Sequence, residues 1–353
     1  MEGQFKSPGH SASKSSCSAR RTAVFALLLS LLLPIAGLDS EAGAQVITLK
    51  LAANVPVNSL WDQGLMRMAA EFDRASNGKV KIVIPPTTRT SSDSDIIRKM
   101  RLGVDGALLN TYGLAELYPD SLALSMPSYV GNDKEFDAVL AAVIPLIKSK
   151  LGDRYILLSI VKGGWVRFFS RSPIVYPADI ARLRISLEPD SEKEISFMQS
   201  LGARVVPGYT TDFILQLNSN GVDVINLSPI YIAALWSQLR GKISYMSSFR
   251  VAPFVGAIVF NKESWEKIPT ELRPRLERIV LDMSRKISLG SAKLEEEAIA
   301  SLDGIQSPPE PPEAAAEWGK EIAKRRRDLF ARMFSTDFLD SMDEALAKVR
   351  SGK

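Results

Sequence analysis

Residues Ile47-Thr48-Leu49-Lys50-Leu51-Ala52 alternate apolar and polar side chains, the two-residue period of a strand with one buried face, and Asn54-Val55-Pro56 ends it. Ser59 then stands as the N-cap of a helix in which Leu60, Leu65, Met68, Ala69 and Phe72 recur at helical spacing until Asn77-Gly78. A second strand, Val80 to Ile84, is closed by Pro85-Pro86. After a polar loop to Ser92, the spacing predicts a helix from Asp93 to Leu102, and Gly106 to Asn110 reads as a buried strand. The order β-α-β-α-β with apolar strands predicts a parallel sheet covered on both faces.

A second series opens near Arg154. Tyr155–Ile160, Val166–Ser170, Leu183–Leu187, Arg204–Val206, Val222–Leu227 and Phe254–Phe260 have strand character. Asp190 is placed to cap a helix containing Ile195, Met198 and Leu201 and ended by Gly202. Thr211 or Asp212 is placed to cap one containing Phe213, Ile214 and Leu217. Helical pattern from Thr270 to about Leu302 predicts a helix long enough to cross two α/β units, roughly 45 Å at the usual rise. Past the connector Ser307-Pro308-Pro309-Glu310-Pro311-Pro312 the tail, from Glu313, is helical.

The start of the chain has a different pattern. Lys6, Lys14, Arg20 and Arg21 precede an uncharged run from Thr22 to Leu38, and Ala42-Gly43-Ala44 offers the small-residue pattern of a cleavage site. This layout predicts a signal peptide over residues 1–44, a mature start near Gln45 and a periplasmic protein. An uncleaved anchor is the rival reading, but 17 residues interrupted by Pro34 and Gly37 fall short of the about 20 a bilayer core needs. Cys17 precedes the apolar run, so it is no lipoprotein cysteine. Arg20-Arg21 does not name an export route.

Removing that segment changes the chemistry available. The one cysteine, Cys17, and the one histidine, His10, lie within it. A mature chain without either has no disulfide, no thiolate or imidazole catalysis, and no ordinary zinc, haem or iron–sulfur site. The leader's 4 basic and 3 acidic residues, taken from 44 and 40, leave 40 and 37, a net +3 over 309 residues mixed along the chain. That balance excludes a charge-driven nucleic-acid partner. The run Lys324-Arg325-Arg326-Arg327 is read as a solvated helix face, with a docking surface as the alternative.

No Walker loop, dinucleotide fingerprint, EF-hand loop or nucleophile elbow occurs. Asp93/Asp95 and Asp212/Asp223 can be drawn as glycosidase-like pairs, but Asp93 and Asp212 sit where N-caps are needed. Two α/β units joined by a long helix suit a solute-binding protein that closes over one molecule at the carboxyl ends of its strands.

Several stretches in order resemble the periplasmic solute-binding subunits of TRAP (tripartite ATP-independent periplasmic) transporters over nearly all of residues 46–305. They are Asp95–Gly103 with Gly113–Pro119, Ser125–Tyr129 with Glu135, Ser172–Ile180, Leu201–Pro207, and Asp212 with Leu217–Asp223. The resemblance implies an α/β fold of two lobes, of periplasmic-binding-protein type II, with a long bridging helix. It implies lobe I from 45–168 plus about 250–285, and lobe II from 169–249 plus about 286–353 with the C-terminal helices. It also implies a receptor, not an enzyme, that hands a small organic solute to ion-driven membrane subunits. No cofactor or metal is implied.

One departure bears on the ligand. Where carboxylate-binding members read Gly-Leu-Lys-Ile-Arg, this chain reads Arg182-Leu183-Arg184-Ile185-Ser186, so Ser186 replaces the arginine that clamps the ligand carboxylate. Such a charge-assisted pair contributes on the order of 1.5–3 kcal/mol. Arg167 is the candidate substitute, against an interdomain salt bridge. The stretch Gly163–Ser170, with Trp236 and Trp265, resembles a branch in which that arginine is commonly absent. Some members of that branch look suited to apolar ligands and occur beside a helical-repeat periplasmic lipoprotein. Trp61, Tyr112, Trp165 and Trp236 are then candidate pocket walls, against core packing. Arg89 and Glu188 are expected near the cleft mouth, Asn226 among the polar ligand contacts, and Asp223 at the hinge. A carboxylate-dependent hydrolase and a ligand-sensing module on the same scaffold are the alternative functions.

Overall fold

The computed structural model describes residues 46–88, 91–189, 191–209 and 212–352. The strands are β1 (Ile47–Ala53), β2 (Val80–Val83), β3 (Gly106–Asn110), β4 (Tyr155–Ser170), β5 (Arg184–Leu187), β6 (Arg204–Pro207), β7 (Val224–Leu227), β8 (Tyr245–Met246) and β9 (Ala252–Asn261). The first helices are α1 (Leu60–Ala75), α2 (Asp93–Met100), α3 (Thr111–Leu117), α4 (Asp133–Leu151), α5 (Glu192–Ser200) and α6 (Phe213–Asn218). They are followed by α7 (Pro229–Ala234), α8 (Trp236–Leu239), α9 (Lys262–Glu266), α10 (Arg273–Ala300), α11 (Pro312–Arg325), α12 (Ala331–Met333) and α13 (Thr336–Arg350).

The sheet runs β2-β1-β3-β9-β4-β7-β5-β6, with β8 on β4. β1 pairs in parallel with β2 and β3, as the β-α-β-α-β order predicts, but the sheet is not wholly parallel. β9 enters antiparallel between β3 and β4, so Gly106 faces Phe260 and Tyr155 faces Asn261. The two strands read separately at 155–160 and 166–170 are one strand. Its first part pairs with β9 as far as Val166, and from Arg167 to Ser170 it pairs with β7. β4 therefore belongs to both halves of the molecule.

Where it passes from one to the other, the β4 register slips between Lys162 and Trp165. Gly164 sits in that slip at φ +97°, and a Cβ there would lie 2.6 Å from a Glu295 carboxylate oxygen. Only glycine takes this backbone without strain. The freed Trp165 N–H donates to that same oxygen at 2.8 Å.

Helix α10 is the predicted bridging helix, 28 residues long instead of more than 30, about 42 Å. It packs against α1 and β4 and, further along, α7. Its Met283 and Ile287 join Leu65, Met68 and Phe72 of α1 in one apolar cluster. On the other half, Phe169, Phe213, Leu217, Ile225 and Leu302 form a second.

One long element escaped prediction: α4, whose 19 residues contain Pro145 and so lack a regular helical signature. The C-terminal helix α13 packs on it through Phe338, Leu339, Met342 and Leu346. Arg350 of α13 grips Glu135 of α4 with both ends of its guanidinium, at 2.9 and 3.0 Å. The basic run at 324–327 is accordingly not one solvated face. Arg325 is buried, donating to the Ser200 hydroxyl and carbonyl at 2.7 and 2.6 Å, and Arg326 pairs with Asp340 and Asp343. Lys324 and Arg327 are exposed. Asp190 and Thr211 lie outside the described residues.

Candidate solute cleft

The parallel strands of both halves end at turns into short helices. β3 ends at Asn110, whose side-chain oxygen accepts from the Tyr112 and Gly113 N–H groups at 2.8 and 3.1 Å and so starts α3. β7 runs out at Leu227, and Ser228 caps α7. Beyond β5, Glu188 leads to α5.

These ends meet at Glu194. Asn226, on β7, donates its side-chain N–H to Glu194 Oε1 at 2.7 Å, and Tyr112, on α3 just past the end of β3, donates its hydroxyl to Oε2. The hydrogen bond from Tyr112 therefore clasps the end of β3 to α5, beyond the end of β5. Glu194 is 8% exposed, and burial pushes its carboxyl up, against the pull of its two donors and with a further push from Glu188. Burial and then the Glu194 charge raise the Tyr112 hydroxyl far above its ordinary range. Tyr112 as a whole is 40% exposed, although its hydroxyl is engaged by Glu194.

Asp93 lies close by. The capping role expected for it belongs to Ser92, whose hydroxyl accepts from Asp95 N–H at 3.2 Å, and Asp93 is the first helical residue. Burial raises Asp93 to about 6, opposed by the Asn110 N–H and assisted by the charges of Glu116 and Glu188. Asp95 pairs instead with Arg98 at 2.8 Å. Glu188 thus acts on Asp93, Tyr112 and Glu194 together.

Trp61 at the start of α1 lies edge-to-face with Phe254 of β9, ring centres 6.4 Å apart. Its ring lies over the strand pair at Gly256, where a Cβ would come within 2.8 Å of it. Phe254 is 38% exposed, so the pair presents an apolar surface.

Other candidates have structural surroundings. Arg167, the expected substitute clamp, gives its guanidinium to the Ser247 and Ser248 carbonyls and lies 3.9 Å from Glu295 of α10. Trp165, considered as a wall, is 3% exposed and sits in the core against Phe136, with Arg250 stacked 4.8 Å from its ring centre. Trp236 packs on the cluster around Leu239 and Leu302. Ser186 is buried, its hydroxyl 2.6 Å from Gln216 Oε1. Asp223 holds Arg184 through both carboxylate oxygens, at 2.9 and 2.6 Å. Asp212 stands at the N-cap position of α6 and accepts from Tyr209 N–H at 3.0 Å. Arg89 lies outside the described residues. Glu194 was missed from the sequence, although its spacing of three, four and seven to Phe197, Met198 and Leu201 puts a carboxylate on the apolar face of its helix.

Among the described residues, no group of three or more His, Cys, Asp and Glu side chains is set to hold a metal ion, and no helix is long and apolar enough to cross a membrane. Residues 51–332 match the family model DctP, described as bacterial extracellular solute-binding protein, family 7. The chain belongs to this family. The DctP-family chain is 22% identical over 188 residues to a solute-binding protein of Roseobacter denitrificans; the match takes in 52% of this chain and only 58% of that protein. Among solved structures, a TRAP periplasmic solute-binding protein of Ochrobactrum anthropi, with its C-terminus bound in its ligand-binding pocket, superposes with TM-score 0.76 at 19% identity, covering 88% of this chain and 98% of that one. One of Ralstonia eutropha with bound (S)-2-acetolactate gives TM-score 0.72 at 19% identity over 85% and 99%. One of Desulfovibrio salexigens with bound orotic acid gives 0.73 at 16% over 86% and 99%. The two-lobed α/β fold of this DctP-family chain is theirs.

Proposed function

We propose that the protein is a TRAP-type receptor that captures a small organic solute between its lobes and delivers it to transporter membrane subunits. The observation that carries the reading is the clasp from Tyr112 to Glu194, which joins the two halves where the carboxyl ends of their strands meet. Family membership supports a periplasmic receptor, and the layout of residues 1–44 supports export by a cleaved leader. The lobes are taken as 45–168 with about 250–285, and 169–249 with about 286–353. Acetolactate and orotate in the structural neighbours support a small, oxygen-rich solute for this chain. Ser186 in place of the expected arginine supports a recognition mode without that clamp, with Trp61 and Phe254 as the apolar wall. Trapping a solute by lobe closure requires no chemistry, and we assign no catalytic role. We extend the proposal to a helical-repeat periplasmic lipoprotein as a further partner.

Native mass spectrometry of the mature protein, incubated with a small-molecule extract and then denatured, tests this. A single solute retained at one per chain is expected. A protein that retains none, or converts one into another, refutes the reading.

A further inference from the structure

We propose that Glu194 is the hydrogen-bond acceptor for the solute, and that it selects solutes presenting a hydroxyl, amide or ammonium donor. The inference rests on the receptor reading above. The two donors on Glu194 differ in kind. Asn226 is on the same lobe as Glu194 and stays with it, whereas Tyr112 belongs to the other lobe and leaves when the lobes part. Parting takes the donor from Oε2 and opens it to water, and closing again returns the carboxyl to a site where it is 8% exposed. A buried acceptor left unmade is costly, so reclosure requires a donor at that position. The tyrosine hydroxyl supplies it in the unliganded chain. A solute donor supplies it when the cleft is filled, and the partly exposed Tyr112 ring is free to yield the place.

The surroundings favour the same chemistry. The Glu188 charge acts on Glu194 and on Tyr112 together, and it acts against bringing another anion to them. The arginines described on β4 and β5 have other partners, Arg167 giving its Nη1 to the Ser247 and Ser248 carbonyls while its Nε has no hydrogen-bond partner among the described residues, and Arg184 binding Asp223. The solute thus meets Glu194 with a donor, whatever its opposite end carries.

The test uses matched probes on common skeletons of three to six carbons: 2-hydroxy and 2-amino acids, each against the corresponding 2-oxo and unsubstituted acid. Binding is measured by equilibrium dialysis and thermal shift. The donor-bearing members should bind wild type at least tenfold more tightly than their partners. Glu194→Met, similar in size but unable to accept, should erase that preference, and Tyr112→Phe, which removes the competing internal donor, should strengthen it. If Glu194→Met does not fold, the preference is read in Glu194→Gln, where it should fall by about half on a logarithmic scale. Equal binding of the oxo members overturns the proposal, being the mark of a protonated Glu194 that donates instead. Survival of the preference in the Glu194 variants overturns it too, as does a panel with no donor-bearing binder when the extract experiment does yield a solute. If that experiment yields none, the receptor reading itself has failed.

Discussion

Asp93 gives the sharpest quantitative expectation, because its environment sets a direction with pH that a neutral side chain cannot have. Its carboxyl is raised from 3.8 to about 6 by burial, with Glu116 and Glu188 adding to the push. Between those values the folded chain holds more protons than the unfolded one, so the stability contribution is fully present below about 3.8 and is lost as pH rises through 6. At about 1.4 kcal/mol per tenfold change in the acid constant, the loss approaches roughly 3 kcal/mol. Asp93 is only partly buried, and solvent screening brings the expected difference to about 2 kcal/mol. Asp93→Asn removes the titration and keeps an oxygen for the Asn110 N–H. Urea unfolding from pH 4 to 7.5 should show the variant equal to wild type at the acid end and about 2 kcal/mol more stable near neutrality. Glu194 and Glu295, also raised by burial, remain in both proteins and cancel. A difference that does not vary with pH, or a variant weaker at pH 7, would refute the reasoning.

Three further outcomes can be checked. Tyr112→Phe removes a hydrogen bond to a carboxylate worth about 1.5–3 kcal/mol, so the unliganded protein should open and its radius of gyration by X-ray scattering should rise; an unchanged profile means the clasp does not hold the lobes. Gly164→Ala adds a Cβ 2.6 Å from the Glu295 carboxylate at a backbone with φ +97°, and should cost about 1–3 kcal/mol in chemical denaturation. Arg350→Ala strips Glu135 of a partner. Burial raises that carboxyl, but Arg350 and the Gly131 N–H outweigh it and hold it below 4.5, so the variant's deficit of about 1–2 kcal/mol at pH 7 should shrink as the pH falls below that value.

What was legible in the sequence was local. The alternation from Ile47, the Ser59 cap and the apolar run from Gly106 each encode their own element, and the structure has them there. Pairing was not legible. The apolar run Phe254–Phe260 announces a buried strand but carries no mark of its neighbour or direction, and only tertiary packing places it antiparallel beside β3. The stretches 155–160 and 166–170 read as two strands, whereas the chain joins them through a slip at Gly163-Gly164 within one continuous strand. Aromatic residues show the same limit, since Trp165 and Trp61 give one apolar signal and only one is sealed in the core. At the cleft, Tyr112 and Asn226 were named from the sequence, but the carboxylate between them was not, because a single Glu near the start of a helix looks like ordinary terminal charge.

The central place of β9 bears on when this chain can fold. Gly106 pairs with Phe260, 154 positions later, so the middle of the first lobe's sheet stays empty until most of the polypeptide exists. Non-local pairing of this kind slows folding, because a long loop must close before its contacts form. A nascent chain emerging from the ribosome therefore exposes β1 to β3 as an incomplete sheet, unable to settle. The sheet of this DctP-family chain is thus completed by one of the last strands to be made, not by the β-α-β-α-β series that begins it.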